Sequence, residues 1–171
     1  MRKLDPVRVV PRGTSTHEEA LNALLLRYGS AIYAVLKTIR AHEMTEYERY
    51  LILSLEDSEY YVQCMFYDED RQLHCEAASG ALDDWSLTEE QIAILASLGY
   101  DVTKPEQNYA VEQAVTEEIG LRYIPVLLLE TLYRVYGLTQ DTPLRFQAPF
   151  VPGFNDLETF VHSAVKASAR R

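Results

Sequence analysis

The chain has 171 residues, 47% of them apolar, which is enough to build one core and argues against wholesale disorder. Sixteen Lys and Arg stand against 26 Asp and Glu, so the formal net charge is 16 − 26 = −10. That balance argues against duplex binding, because affinity for a polyanion comes mainly from basic side chains. No apolar run approaches the roughly 20 residues a membrane span needs, and the start, Met1-Arg2-Lys3-Leu4-Asp5-Pro6, carries no apolar leader core. Two cysteines make no disulfide scaffold, so a reducing cytoplasm is the expected compartment.

Residues 1–14 hold Pro6, Pro11 and Gly13 among valines and read as an extended arm. Ser15-Thr16-His17-Glu18-Glu19 then offers two overlapping capping boxes at a helix start. Leu21, Leu24, Leu25, Tyr28, Ala31, Ile32, Val35, Leu36 and Ile39 recur at helical spacing, so one long amphipathic helix is expected, ending near His42 or Glu43. Gly29 inside it is expected to mark close packing against a neighbouring element.

Three strand-like runs follow, Tyr50–Glu56, Tyr60–Tyr67 and Leu73–Ser79, joined by Asp57-Ser58-Glu59 and by the polar loop Asp68-Glu69-Asp70-Arg71. Connections this short force antiparallel neighbours. With 68–71 as the loop, opposed residues sum to 139: Tyr67 faces Gln72, Met65 faces His74, Cys64 faces Cys75, Gln63 faces Glu76 and Val62 faces Ala77. Alternation then sorts the side chains. One side collects Leu51, Leu53, Leu55, Val62, Cys64, Phe66, Leu73, Cys75 and Ala77, all apolar, and is expected to pack on the first helix. The other collects Tyr50, Ile52, Ser54, Tyr61, Gln63, Met65, His74, Glu76 and Ala78.

Ser86-Leu87-Thr88-Glu89 reads as the capping box of a second helix with Ile92, Leu95, Ala96 and Leu98 as its buried stripe and Gly99 as its terminator. Trp85, just before it, reads as an apolar anchor. Tyr109–Val115 alternates weakly and reads either as an edge strand or as a helix start. A third long helix is expected from about Leu121 to Tyr136, with Pro125 in its first turn and Gly137 as its stop. Beyond Leu138 lies a Pro-containing stretch with Phe146, Phe150 and Phe154, then a short helix from Asn155 toward Ala167 and a basic tail. The expected fold class is α+β: an antiparallel three- to four-stranded β-meander flanked by a long N-terminal helix, a middle helix and a long C-terminal helix. The domain boundaries are an arm over 1–14, the α+β domain over 15–138, and a C-terminal extension over 139–171.

Tyr61-Val62-Gln63 on one strand, Glu76-Ala77 on the next, Leu98-Gly99-Tyr100 at a helix end and Asn108-Tyr109 beyond it form a pattern. It resembles the TY-Chap group, which joins type III secretion chaperones of the CesT sort with YbjN-like proteins. The resemblance covers roughly residues 15–138, and Tyr100 stands where the pattern carries Trp. It implies an acidic α+β protein that binds an extended segment of a partner protein or peptide, as a homodimer in many cases, with no cofactor and no reaction.

Motifs for chemistry are sparse. His42-Glu43-Met44-Thr45-Glu46 lacks the second His of a zincin helix, seven scattered glycines make no phosphate loop, and no Gly-x-Ser-x-Gly elbow occurs. Asp83-Asp84 and Glu117-Glu118 read as helix-flanking or solvated acids, and His17 and His162 as solvated. Cys64 opposite Cys75 reads first as two buried apolar thiols, with a disulfide as the alternative and a metal site disfavoured for want of further ligands. Gln63 opposite Glu76 is the most specific pair, either a register-setting cross-strand bond or two polar handles for a bound backbone. Of the twelve tyrosines, Tyr50, Tyr61, Tyr109, Tyr123, Tyr133 and Tyr136 are candidates for a partner surface.

The expectation is a non-enzymatic chaperone-like protein with no cofactor, no metal, no nucleic acid and no membrane insertion. Its site for a peptide or protein partner is placed at Tyr50, Ile52, Tyr61, Gln63, Met65, His74, Glu76, Trp85 and Tyr109. The alternative is a homodimeric structural or regulatory adaptor whose sheet face is buried in its own interface.

Overall fold

The computed structural model describes residues 15–41, 49–67, 69, 71–81 and 83–148. The arm over 1–14, the 42–46 segment, the helix expected after Asn155, His162 and the basic tail all lie outside the described residues. Helices α1 (Ser15–Leu24) and α2 (Ser30–Ala41) are joined by a single π-helical turn, Leu25–Gly29. Strands β1 (Tyr50–Leu55), β2 (Tyr61–Tyr67) and β3 (Gln72–Ala77) follow, then α3 (Glu89–Ser97), β4 (Tyr109–Ala114), α4 (Glu118–Tyr136) and β5 (Leu144–Gln147). The α+β class holds, with one strand more than expected. All five strands form one antiparallel sheet in the order β4-β3-β2-β1-β5. No helix among the described residues is long and apolar enough to cross a membrane.

The hairpin register is the expected one. Val62 faces Ala77, Gln63 faces Glu76, Cys64 faces Cys75, Met65 faces His74 and Tyr67 faces Gln72. Each of β1, β2 and β3 alternates half-buried with buried residues, so the sheet has a sealed inner face and an outer face in partial contact with solvent. Leu51, Leu53, Val62, Cys64, Phe66, Leu73, Cys75 and Ala77 are all at or below 1% exposure. On this inner face Cys64 and Cys75 are joined as a disulfide, the alternative reading of the pair, so they are not free thiols.

The cover of that inner face differs from expectation. α2 touches β1, but α4 lies over β2 and also contacts α1, the π turn, α2 and α3. Being enclosed on so many sides, α4 buries twelve of its residues, including Glu130, Thr131 and Arg134. Arg134 Nη1 donates to Glu130 Oε1 (3.2 Å) and Thr131 Oγ1 donates to the Leu127 carbonyl (2.8 Å), which offsets part of the cost of burying this polarity, while Arg134 Nε is buried without a hydrogen-bond partner. The helix starts at Glu118, which leaves Pro125 two turns in rather than in the first turn. Proline there removes one helical donor, and burial of the surrounding Leu121, Ile124, Leu127 and Leu128 outweighs that loss. Gly137 ends the helix in the left-handed conformation, as expected (φ 75°).

Other expectations shift in detail. Ser15 and Thr16 are themselves helical. A Cβ on Gly29 would meet only the Leu25 side chain, at 3.5 Å, so no neighbouring element packs closely there; the helix widens into the π turn instead. The cap of α3 sits two residues later than expected. Thr88 Oγ1 accepts from Gln91 N (3.3 Å) and Gln91 Oε1 accepts from Thr88 N (2.9 Å). The buried residues of α3 are Gln91, Ile94 and Leu95, because Gln91 also donates to the Val135 carbonyl of α4 (2.6 Å). His17 is 4% exposed rather than solvated, with Nε2 at 3.8 Å from Glu130 Oε1 and its ring against Tyr133. Finally, β5 joins β1 beyond residue 138, pairing Ile52 with Gln147 and Ser54 with Arg145.

Candidate functional site

The outer face of the sheet is a grid whose rows are set by the strand registers. One row reads Arg145, Ser54, Tyr61; the next Gln147, Ile52, Gln63, Glu76, Ala110; the third Tyr50, Met65, His74, Glu112; the last Tyr67, Gln72, Ala114. The columns on β1 and β2 carry most of the apolar and aromatic surface, and those on β3 and β4 carry the acids. Seven of the nine residues expected at the site, Tyr50, Ile52, Tyr61, Gln63, Met65, His74 and Glu76, lie here together, each half-buried.

A hydrogen-bonded network ties β2, β3, β4 and the loop before β4. Gln63 Nε2 donates to Glu76 Oε2 (2.5 Å), and Asn108 Nδ2 donates to Tyr61 Oη (2.8 Å) and to Glu76 Oε2 (3.4 Å). Asn108 Oδ1 accepts from the Ser79 amide (3.3 Å), which orients the carboxamide. His74 lies between two carboxylates, with Nε2 3.0 Å from Glu76 Oε1 and Nδ1 2.5 Å from Glu112 Oε1. Tyr67 Oη donates to Glu112 Oε2 (2.7 Å). Ionised carboxylates only accept, so both bonds are made together when both ring nitrogens of His74 carry protons.

The electrostatics follow from that placement. Burial alone would lower the His74 pKa, but the bonds to Glu112 and Glu76 outweigh it and hold the imidazole above its ordinary value. Burial alone would raise the Glu76 pKa, but the bonds from His74, Gln63 and Asn108 outweigh it and hold the carboxyl below the usual range. Glu112 is the most open member, with 52% of its side chain exposed against 28% for His74 and 25% for Glu76.

Two expected residues do not join the face. Tyr109 is 4% exposed and on the inner side, since β4 alternates with Ala110 and Glu112 outward. Trp85 is half-buried at the end of β3, edge-on to Tyr60 (5.1 Å), which stacks on Tyr136 (5.1 Å), whose hydroxyl donates to the Ala78 carbonyl (2.7 Å). Tyr136 is buried, Tyr133 is half-buried and Tyr123 is exposed. Asn108 and Glu112 are site residues the candidate set lacks. Asn108 was signalled by the motif residues quoted for it, and Glu112 by the outward phase of its strand. No group of three or more His, Cys, Asp or Glu among the described residues is arranged to hold a metal ion.

The motif residues Tyr61, Gln63, Glu76 and Asn108 come from three separate segments and meet in one network. Residues 31–150 match the TY-Chap3 family, described as T3SS (YopN, CesT) and YbjN peptide-binding chaperone 3. No curated protein and no solved structure matches the chain.

Proposed function

We propose, because the chain belongs to the TY-Chap3 family of peptide-binding chaperones, that its outer sheet face holds an extended segment of a partner protein without catalysing a reaction on it. The observation that supports this reading is the convergence of Tyr61, Gln63, Glu76 and Asn108 into one network bordered by Tyr50, Ile52 and Met65, all of them short of full burial. The side chains offer what such a guest needs. Aromatic and Met surface gives apolar contact that adapts to different side chains. The carboxamides and carboxylates give fixed donors and acceptors for a peptide backbone. A permanent structural role for the same surface would need it sealed.

The test is binding of a fluorescent peptide library to the full chain, followed by anisotropy, with Met65→Asp as the variant. Placing a charge in the middle of the apolar columns costs a guest about 2 kcal/mol, or roughly thirtyfold in affinity. Selected peptides that bind the variant as well as the parent chain refute this site. Light scattering on dilution separates a face open to guests from one locked in a homodimer, which would keep twice the chain mass and bind no peptide.

A further inference from the structure

We propose that the guest segment carries a lysine or arginine about four residues, in extended form, from an apolar side chain. The apolar side chain lies over Tyr50, Ile52 and Met65, and the cation meets Glu112 and Glu76. This rests on the peptide-binding reading above and adds the chemistry of the guest to it.

The charges of the outer face are sorted by strand. The row Tyr50, Met65, His74, Glu112 runs from β1 to β4. The apolar end of the row, at Tyr50, is separated from Glu112 by about three strand spacings, or roughly 14 Å. An extended chain covers nearly that distance in about four residues at roughly 3.3 Å each, an even step that keeps both side chains on the same side. At the acidic end Glu76 and Glu112 flank one imidazole, so even a protonated ring offsets only one of the two carboxylates. A carboxylate can accept about four hydrogen bonds. Glu112 takes one from His74 and one from Tyr67 and is half exposed, so it keeps acceptor capacity on the solvent side.

The far strand carries a cation on this face. Arg145 stands on β5, opposite Ser54, four strands from β4 and therefore about 19 Å away. A guest cation is repelled there and attracted at Glu112, which gives the crossing a direction. The net charge of −10 adds long-range attraction for a basic segment. An acidic guest meets repulsion over the same range, so sign acts on partner choice as well as on encounter.

The experiment uses the full chain and two synthetic 12-residue peptides, built on Ser with two Leu-x-x-x-Lys or two Leu-x-x-x-Glu units, read by anisotropy at low and moderate salt. The Lys peptide is expected to bind about tenfold tighter than the Glu peptide, the gap closing as salt rises. Glu112→Lys is expected to invert the preference, and Glu112→Gln, a milder change that keeps the shape, to shrink it. Equal affinities for the two peptides, both lost in Met65→Asp, overturn the charge preference and leave the peptide reading intact. Binding of neither peptide, or binding indifferent to Met65→Asp, overturns both. A photo-crosslinker at position 65 that couples to residues 149–171 or to a second copy, undisturbed by either peptide, also overturns the proposal by naming another occupant.

Discussion

Replacing Gly80 by alanine tests whether the end of β3 is locked to the helices through Trp85. Gly80 has φ of +79°, where a side chain costs about 1–2 kcal/mol. A Cβ at this position would sit 2.3 Å from the Trp85 carbonyl oxygen and 2.6 Å from two carbons of its ring. One of those atoms is backbone, so the chain must move, and overpacking of this kind costs about 1–3 kcal/mol. Displacing the indole also weakens its edge contact with Tyr60, worth about 0.5–1.5 kcal/mol. Gly80→Ala is therefore expected to destabilise the fold by about 2.5–6.5 kcal/mol, a large share of the roughly 5–15 kcal/mol of a typical domain. Urea unfolding followed by tryptophan emission measures this directly, because Trp85 is the chain's single tryptophan. Gly29→Ala is the control. Its Cβ finds ordinary contact at 3.5 Å, and the change is expected to be neutral or to stabilise by up to about 1 kcal/mol. A Gly80→Ala loss below about 1 kcal/mol with unchanged emission would refute the packing argument.

Two further outcomes follow from the site and the helix caps. His74 is held above its ordinary 6.5, so its bonds stabilise the fold fully below that pH and are lost as pH rises through the higher folded value. Glu76 is held below its ordinary 4.5, so its contribution is complete above that pH and is lost as pH falls through the lower folded value. The cluster is thus at its strongest between about 4.5 and 6.5. A stability profile that is flat on both sides of this window in the parent chain, or unchanged in His74→Gln, contradicts the assignment. Thr88→Ala removes one half of the α3 capping box and is expected to lower stability by about 1 kcal/mol, read from the midpoint of urea unfolding.

The central hairpin was legible because two local signals agree. The polar loop at 68–71 fixes which residues oppose, and strict alternation from Val62 to Ala77 fixes which side each takes. Gln63 opposite Glu76, and the sorting of Tyr50, Ile52, Tyr61, Met65 and His74 to one face, follow from those signals alone. What escaped depends on contacts far apart in sequence. β5 is four residues in a proline-containing stretch and owes its form to pairing with β1, about ninety residues earlier. Tyr109 and Glu112 lie on a strand with weak alternation, whose phase is set by Cys75 facing Val111 and His74 facing Glu112. His17 reads as solvated until Glu130 is placed beside it, and Gln91 lies outside the expected stripe of its helix because only the Val135 carbonyl explains its burial. Pro125 misled because the rule that excludes proline from helix interiors presumes a helix whose stability is local, whereas α4 is held by its surroundings.

The strand order has a consequence for how the chain reaches this state. The middle of the sheet is made of consecutive segments, while both of its outer positions are filled by segments that come much later, β4 at 109–114 and β5 at 144–147. While the protein is being made, the nascent hairpins therefore emerge with two bare rims of amide and carbonyl groups, the kind of template on which chains stick to one another. Closing the second rim waits until residue 147 has left the ribosome, so damage to the last strand is expected to show first as aggregation during synthesis and only second as lowered stability of the finished molecule.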